Sequence, residues 1–113
     1  MLNTTFRRGV FLALTAATLV SMAPSYGQST YFIEGNKTIK TLGVQGQFYY
    51  VGFVEPLGQA CLYNLVYIAA DYKGVYSHLL AAMLAGKHIS RIDYNQLQGN
   101  GTQCEAQLVE ITN

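Results

Sequence analysis

The first thirty residues constrain this chain most, because they decide how much of it is left to fold. Arg7 and Arg8 precede an apolar run from Val10 to Met22, and no acidic side chain occurs before Glu34. Pro24 ends the run, and Ser25 and Gly27 place small residues at −3 and −1 of a cut before Gln28. The run is 13 residues long, whereas a bilayer-spanning helix needs roughly 20. The expectation is a cleaved signal peptide over residues 1–27, with no stable membrane anchor, and a single small domain over residues 28–113. Phe11-Leu12 stands one position too far along for a twin-arginine signal, and no Cys lies near the cut for lipid attachment. The general secretory route of a bacterium is therefore predicted, delivering a periplasmic or secreted product.

Export gives the two cysteines their meaning. Cys61 and Cys104 are the only ones in the chain, and in an oxidising compartment the simplest reading is one disulfide. It would close a loop of 44 residues, worth on the order of 4 kcal/mol in the chain-entropy treatment. That is comparable to the whole stability of a domain this small, which buries only about 60–65% of its unfolded surface. A metal pair would need more ligands and has only His78 and His88 to draw on. A catalytic thiol would need a base and protection from oxidation.

Removal of the leader also changes the charge. Lys37, Lys40, Lys73, Lys87 and Arg91 remain against Glu34, Glu55, Asp71, Asp93, Glu105 and Glu110, so the net charge of 28–113 is about −1. This is not the basic footprint needed to neutralise phosphates, and no nucleic-acid partner is expected.

Hydrophobic periodicity predicts five strands and one helix. After a lead whose Tyr31-Phe32-Ile33 can pack or add an edge strand, the first strand runs from Thr38 to Val44, and Gln45-Gly46 turns it into a second, Gln47 to Val54. Glu55-Pro56-Leu57-Gly58 is a turn signal, and the third strand alternates from Cys61 to Ala69. Asp71 is the expected N-cap and Gly86 the C-terminal stop of a helix whose apolar stripe is Val75, Leu79, Leu80, Met83 and Leu84. His88–Tyr94 and Gln103–Thr112 complete the set, with bends expected at Gly52 and near Leu108-Val109. The order β-β-β-α-β-β matches a five-stranded antiparallel OB-like barrel, and equally an open antiparallel sheet backed by one helix. The barrel is preferred, because two strands are apolar on both faces.

Candidate chemistry is sparse. Ser77 and Ser90 lack a nucleophile-elbow context, the carboxylates are scattered singly, and no Gly-rich phosphate loop follows a strand. No catalytic residue, metal site or cofactor is expected, and the chain is read as a non-enzyme. An enzyme or enzyme inhibitor would require His88, Asp93 and Glu105 to converge in one cleft. The tyrosines are the stronger lead. A small core accounts for part of them, but Tyr49, Tyr50, Tyr63 and Tyr67 on the strands form a candidate surface for a glycan or a protein partner. The expectation is an exported binding module, with homo-oligomerisation an option and a ligand-free structural envelope protein the blander alternative.

The run Tyr76-Ser77-His78-Leu79-Leu80-Ala81-Ala82-Met83-Leu84-Ala85-Gly86-Lys87-His88-Ile89, followed by a strand and a late Cys, resembles a pattern in small exported bacterial proteins of unknown function. It also resembles the OB-fold B subunits of AB5 toxins of the subtilase-cytotoxin and typhoid-toxin type. That resemblance implies an OB fold, pentameric assembly and glycan binding. It covers residues 37–112 in element order and 72–94 in local pattern. The chain departs from those subunits in having no Trp, a single Cys pair and a shorter length. No sugar-contacting position carries across.

Overall fold

The computed structural model describes residues 30–113; the expected signal peptide lies outside them. Six strands and one helix follow in the order β1 (Tyr31–Lys37), β2 (Ile39–Gln45), β3 (Phe48–Phe53), β4 (Val66–Ala69), α1 (Lys73–Ala85), β5 (Ile89–Asn95) and β6 (Cys104–Glu110). They form one mixed sheet in the order β1-β5-β6-β4-β3-β2. Every pairing is antiparallel except β4 with β6, where Val66 lies opposite Cys104 and Tyr67 opposite Glu105.

Thr38 alone separates β1 from β2, yet these strands occupy opposite edges of the sheet. The sheet must curl to bring its two edges to that one residue. It remains open, since no ladder joins β1 to β2. The five-stranded closed barrel is thus corrected to an open, six-stranded, OB-like mixed sheet. The extra strand is the lead that contains Tyr31-Phe32-Ile33, captured as an edge by β5.

The hairpin between β2 and β3 forms as the sequence predicts. Gln45 pairs with Phe48 across a two-residue turn, and Gly46 takes the positive φ of 60° that such turns require. The bend expected at Gly52 appears as a register shift between Ile39 and Thr41, opposite Phe53 and Gly52. Near Leu108 a second shift falls between Asp93 and Tyr94, leaving Gln107 as the extra residue on β6.

The third strand is shorter than its alternation suggests. Leu62–Asn64 form a single 3-10 turn with Tyr63 at φ 56° and Asn64 at φ 57°, so β4 starts only at Val66. In α1 the N-cap is Tyr72 rather than Asp71, without a side-chain cap hydrogen bond. Gly86 stops the helix at φ 67°, the left-handed conformation that a side chain resists. The helix buries Leu79 and Ala82 and rests Val75 and Tyr76 on the sheet. Leu80, Met83 and Leu84, expected on the buried stripe, are exposed, Leu84 to 80%. Among the described residues, no helix is long and apolar enough to cross a membrane.

The core lies between α1 and the concave face of the sheet, where Val51, Val66, Ile68, Leu79, Ile89 and Ile92 are fully buried. Each such side chain contributes roughly 1.5–3 kcal/mol of transfer free energy. Cys61 and Cys104 form the expected disulfide, with Cα atoms 5.5 Å apart. Because Cys61 precedes β4, the bridge ties the loop before that strand to the first residue of β6, rather than strand to strand.

Candidate functional site: the loop end of the sheet

The two ends of the curled sheet differ in how their polar side chains are arranged. At the Thr38 corner, Thr38 donates its backbone N–H and its hydroxyl (2.8 Å) to the Glu55 carboxylate. Having given its proton to Glu55, Thr38 Oγ1 accepts from His88 Nδ1–H at 3.0 Å. Nearby, Lys37 Nζ lies 2.9 Å from Glu34 Oε1 and donates to Pro56 O at 2.8 Å. Glu34 Oε2 accepts from the Tyr94 hydroxyl and from Gly58 N–H. Residues three apart on a regular strand face opposite ways. Asn36, at φ 54°, breaks the alternation and lets Glu34 and Lys37 meet. Burial works against the ionised form of Glu34, but the hydrogen bonds from Tyr94, Lys37 and Gly58 outweigh it and hold its pKa below the ordinary carboxylate value. Desolvation and the Glu34 carboxylate together push the Tyr94 phenol well up.

Asp93 is fully buried on β5. It takes two hydrogen bonds of 2.8 Å from Arg91 Nε and Nη2 and one of 2.7 Å from Tyr31 Oη. The Arg91 guanidinium is the main reason its pKa is lowered. His88, which precedes β5, is bonded to Thr38 instead. Glu105 lines a different cleft, beside Phe48 and Asn95. These three residues, which an enzyme reading would bring together, are held in three separate places.

The strand ends away from the corner carry three adjoining clefts of about 510, 310 and 480 Å³. Gln59 and Gln96 line the first, Gln98, Gln103 and Gln107 the second, and Gln45 and Gln47 the third, which shares Gln103 and Phe48 with the second. Leu97, which is exposed, joins the first cleft to the second. Every glutamine of the described chain therefore faces one of these clefts, while Glu105 is the sole charged side chain lining any of the three. Gln96 is buried and fixes the floor. Its Nε2 donates to Ala60 O (2.7 Å) and Thr102 O (3.0 Å), and its Oε1 accepts from Gln59.

The four candidate tyrosines divide between two faces. Tyr49 lies beneath the helix, stacked on Tyr76 with centroids 4.0 Å apart, and belongs to the core side. Tyr67 is buried on the outer face between Tyr50 and Phe48, each 6.1 Å from it centroid to centroid, and its hydroxyl donates to Gln45 at 3.0 Å. Burial, and then the neighbouring Tyr63 and Tyr50, raise the Tyr67 pKa, so the phenol stays neutral. Tyr63 stands at the rim of the third cleft and is 72% exposed. Tyr63 and Tyr67 thus share a cleft, Tyr50 supports it from behind, and Tyr49 takes no part.

The fold is similar to that of a toxin B subunit. A solved structure of the cholera toxin-like B-subunit from Citrobacter freundii matches 77% of this chain and 89% of its own, with a TM-score of 0.52 and 16% identity. The distant resemblance to AB5 B subunits therefore holds at the level of the fold. No family model matches the sequence, and no curated protein does.

The amides were the signal that the tyrosine pattern obscured. They sit at the end of β2 and the turn after it, in the loop after β3, in the 95–103 loop and on β6, too far apart in sequence to read as a motif.

Proposed function

We propose that this chain is an exported, non-enzymatic binding module that takes a glycan at the loop end of its sheet. The observation that carries the reading is Tyr63. A bulky side chain held at φ 56° and left 72% exposed is costly twice, in backbone strain and in bare aromatic area. Strain of this kind, about 1–3 kcal/mol, clusters at ligand-binding positions. The Cys61–Cys104 bridge lies two residues away and anchors the turn that presents the ring. An aromatic face over a cleft rimmed by amides suits a sugar ring, whose C–H groups pack on the aromatic while its hydroxyls exchange hydrogen bonds with Oε1 and Nε2. The disulfide and the toxin-like fold support export. The separate engagement of His88, Asp93 and Glu105 supports a role without catalysis.

Glycan-array screening of the wild type against Tyr63→Gly tests this reading. Array signal from the wild type that is lost in the variant, with the fold retained by circular dichroism, is the expected result. Wild-type binding that survives the substitution contradicts it.

One observation favours a second, compatible reading, that the chain assembles with copies of itself or another subunit. Leu80, Met83 and Leu84 present an apolar patch along α1, and the Citrobacter protein is by its name a subunit. Light scattering of the wild type and of Leu84→Glu decides it. Assembly predicts a mass above the monomer that falls in the variant; a monomeric wild type rejects it.

A further inference from the structure

We propose that the loop-end clefts select uncharged glycans and discriminate against sialylated, sulfated or uronic-acid forms of the same structures. This rests on the glycan reading above and adds the chemical class of the ligand. It follows from where the charges of the domain have been placed.

None of the five basic side chains of the described chain lines the three clefts. Lys37 is buried against Glu34, and Arg91 is engaged by Asp93. Lys87 reaches Asn113, and Lys73 begins α1. Lys40 belongs to β2 near the corner, five residues from the Gln45 end. A carboxylate or sulfate brought to the loop end would lose its hydration without meeting a cation, and burying an anion without a partner is strongly unfavourable. The one charge present is Glu105, on the wall of the middle cleft, and it adds repulsion. Tyr67 remains a neutral phenol.

What the clefts offer instead are neutral groups that both donate and accept. A glutamine supplies two N–H donors and a two-lone-pair acceptor. Gln45, Gln47 and Gln103 surround the space beside Tyr63. A hydroxyl also donates and accepts, so an amide rim matches a polyhydroxylated neutral ligand without leaving a charge unpaired. Gln45 is held by the Tyr67 hydroxyl and so presents its amide in a fixed orientation.

The test uses the purified, disulfide-bonded protein and an array of matched glycan pairs, each a neutral oligosaccharide beside its sialylated or sulfated form. Hits are followed by calorimetric titration at low and high salt. The expected result is binding to neutral members, at least about tenfold weaker binding to their acidic partners, and little change in neutral-glycan affinity with salt. Glu105→Gln should narrow the ratio of affinities between neutral and acidic partners, because it removes the one repelling charge. Equal or tighter binding of the acidic partners overturns this inference and leaves the glycan reading standing. No binding to any glycan, with a protein partner captured instead through Tyr63, overturns both.

Discussion

The Thr38 corner and the loop end lie about 20 Å apart along the same strands, and their polar side chains are arranged in opposite ways. At the corner, Glu34, Lys37, Glu55 and Tyr94 face one another and the backbone of the 55–58 turn, with geometry that satisfies charge by charge. At the loop end neutral amides and aromatic rings line open clefts. The corner holds the curl of an open sheet where its two edges meet. The loop end is fastened beneath, by the disulfide and by buried Gln96, and exposed above. The polar groups turned inward hold the fold together, and those anchored from below but facing water are the ones the proposed binding reading uses.

This contrast can be broken most severely at the fastening. Replacing both Cys61 and Cys104 by Ser should cost on the order of 4 kcal/mol, measured by denaturant unfolding. An undiminished midpoint would mean that the loop end is held by other contacts. Next in size is the corner. Glu34→Ala leaves the buried Lys37 ammonium without its carboxylate and should cost about 3 kcal/mol, whereas Gln103→Ala at the loop end should change stability by less than about 0.5 kcal/mol. Comparable losses at the two positions would erase the distinction.

Acid provides a graded form of the same experiment. The pKa values of Glu34 and Asp93 are lowered in the folded protein, so the folded state holds fewer protons than the unfolded chain as pH drops. Their stabilisation is complete above the ordinary carboxylate pKa and is lost as pH falls through the lowered values. Unfolding free energy should therefore decline below about pH 5, and Glu34→Gln should flatten that decline. A stability curve with the same acid slope in the variant would remove Glu34 from the account. One substitution at the loop end has the opposite sign. Tyr63→Gly relieves a positive φ and should stabilise the protein by about 1 kcal/mol while abolishing glycan binding.

Much of the framework was legible in the sequence because local rules and tertiary structure agree there. Gly46 and Gly86 mark stops that only their backbone freedom explains, and two cysteines behind an expected export signal imply a bridge. The third strand misled because Cys61 to Leu65 alternates like a strand while Tyr63 and Asn64 adopt left-handed φ, which residue type does not announce. The helix stripe misled because periodicity marks apolar side chains, not which of them meet the sheet, and Leu84 meets solvent. The parallel pairing of β4 with β6 and the meeting of Glu34 with Tyr94, sixty residues apart, depend on topology alone. The placement of the candidate tyrosines depends on topology in the same way: Tyr63 and Tyr67 share a cleft, Tyr49 turns beneath the helix, and the glutamines gather only once the chain is folded.

The most direct test of the central claim is an NMR titration of the isotopically labelled, oxidised protein with a neutral oligosaccharide that binds it on the array. The account predicts shifts concentrated at Phe48, Tyr63, Tyr67 and Gln103, with Lys37, Thr38 and Glu55 unmoved. Shifts centred on the Thr38 corner or on the exposed face of α1, with Tyr63 unperturbed, would contradict it.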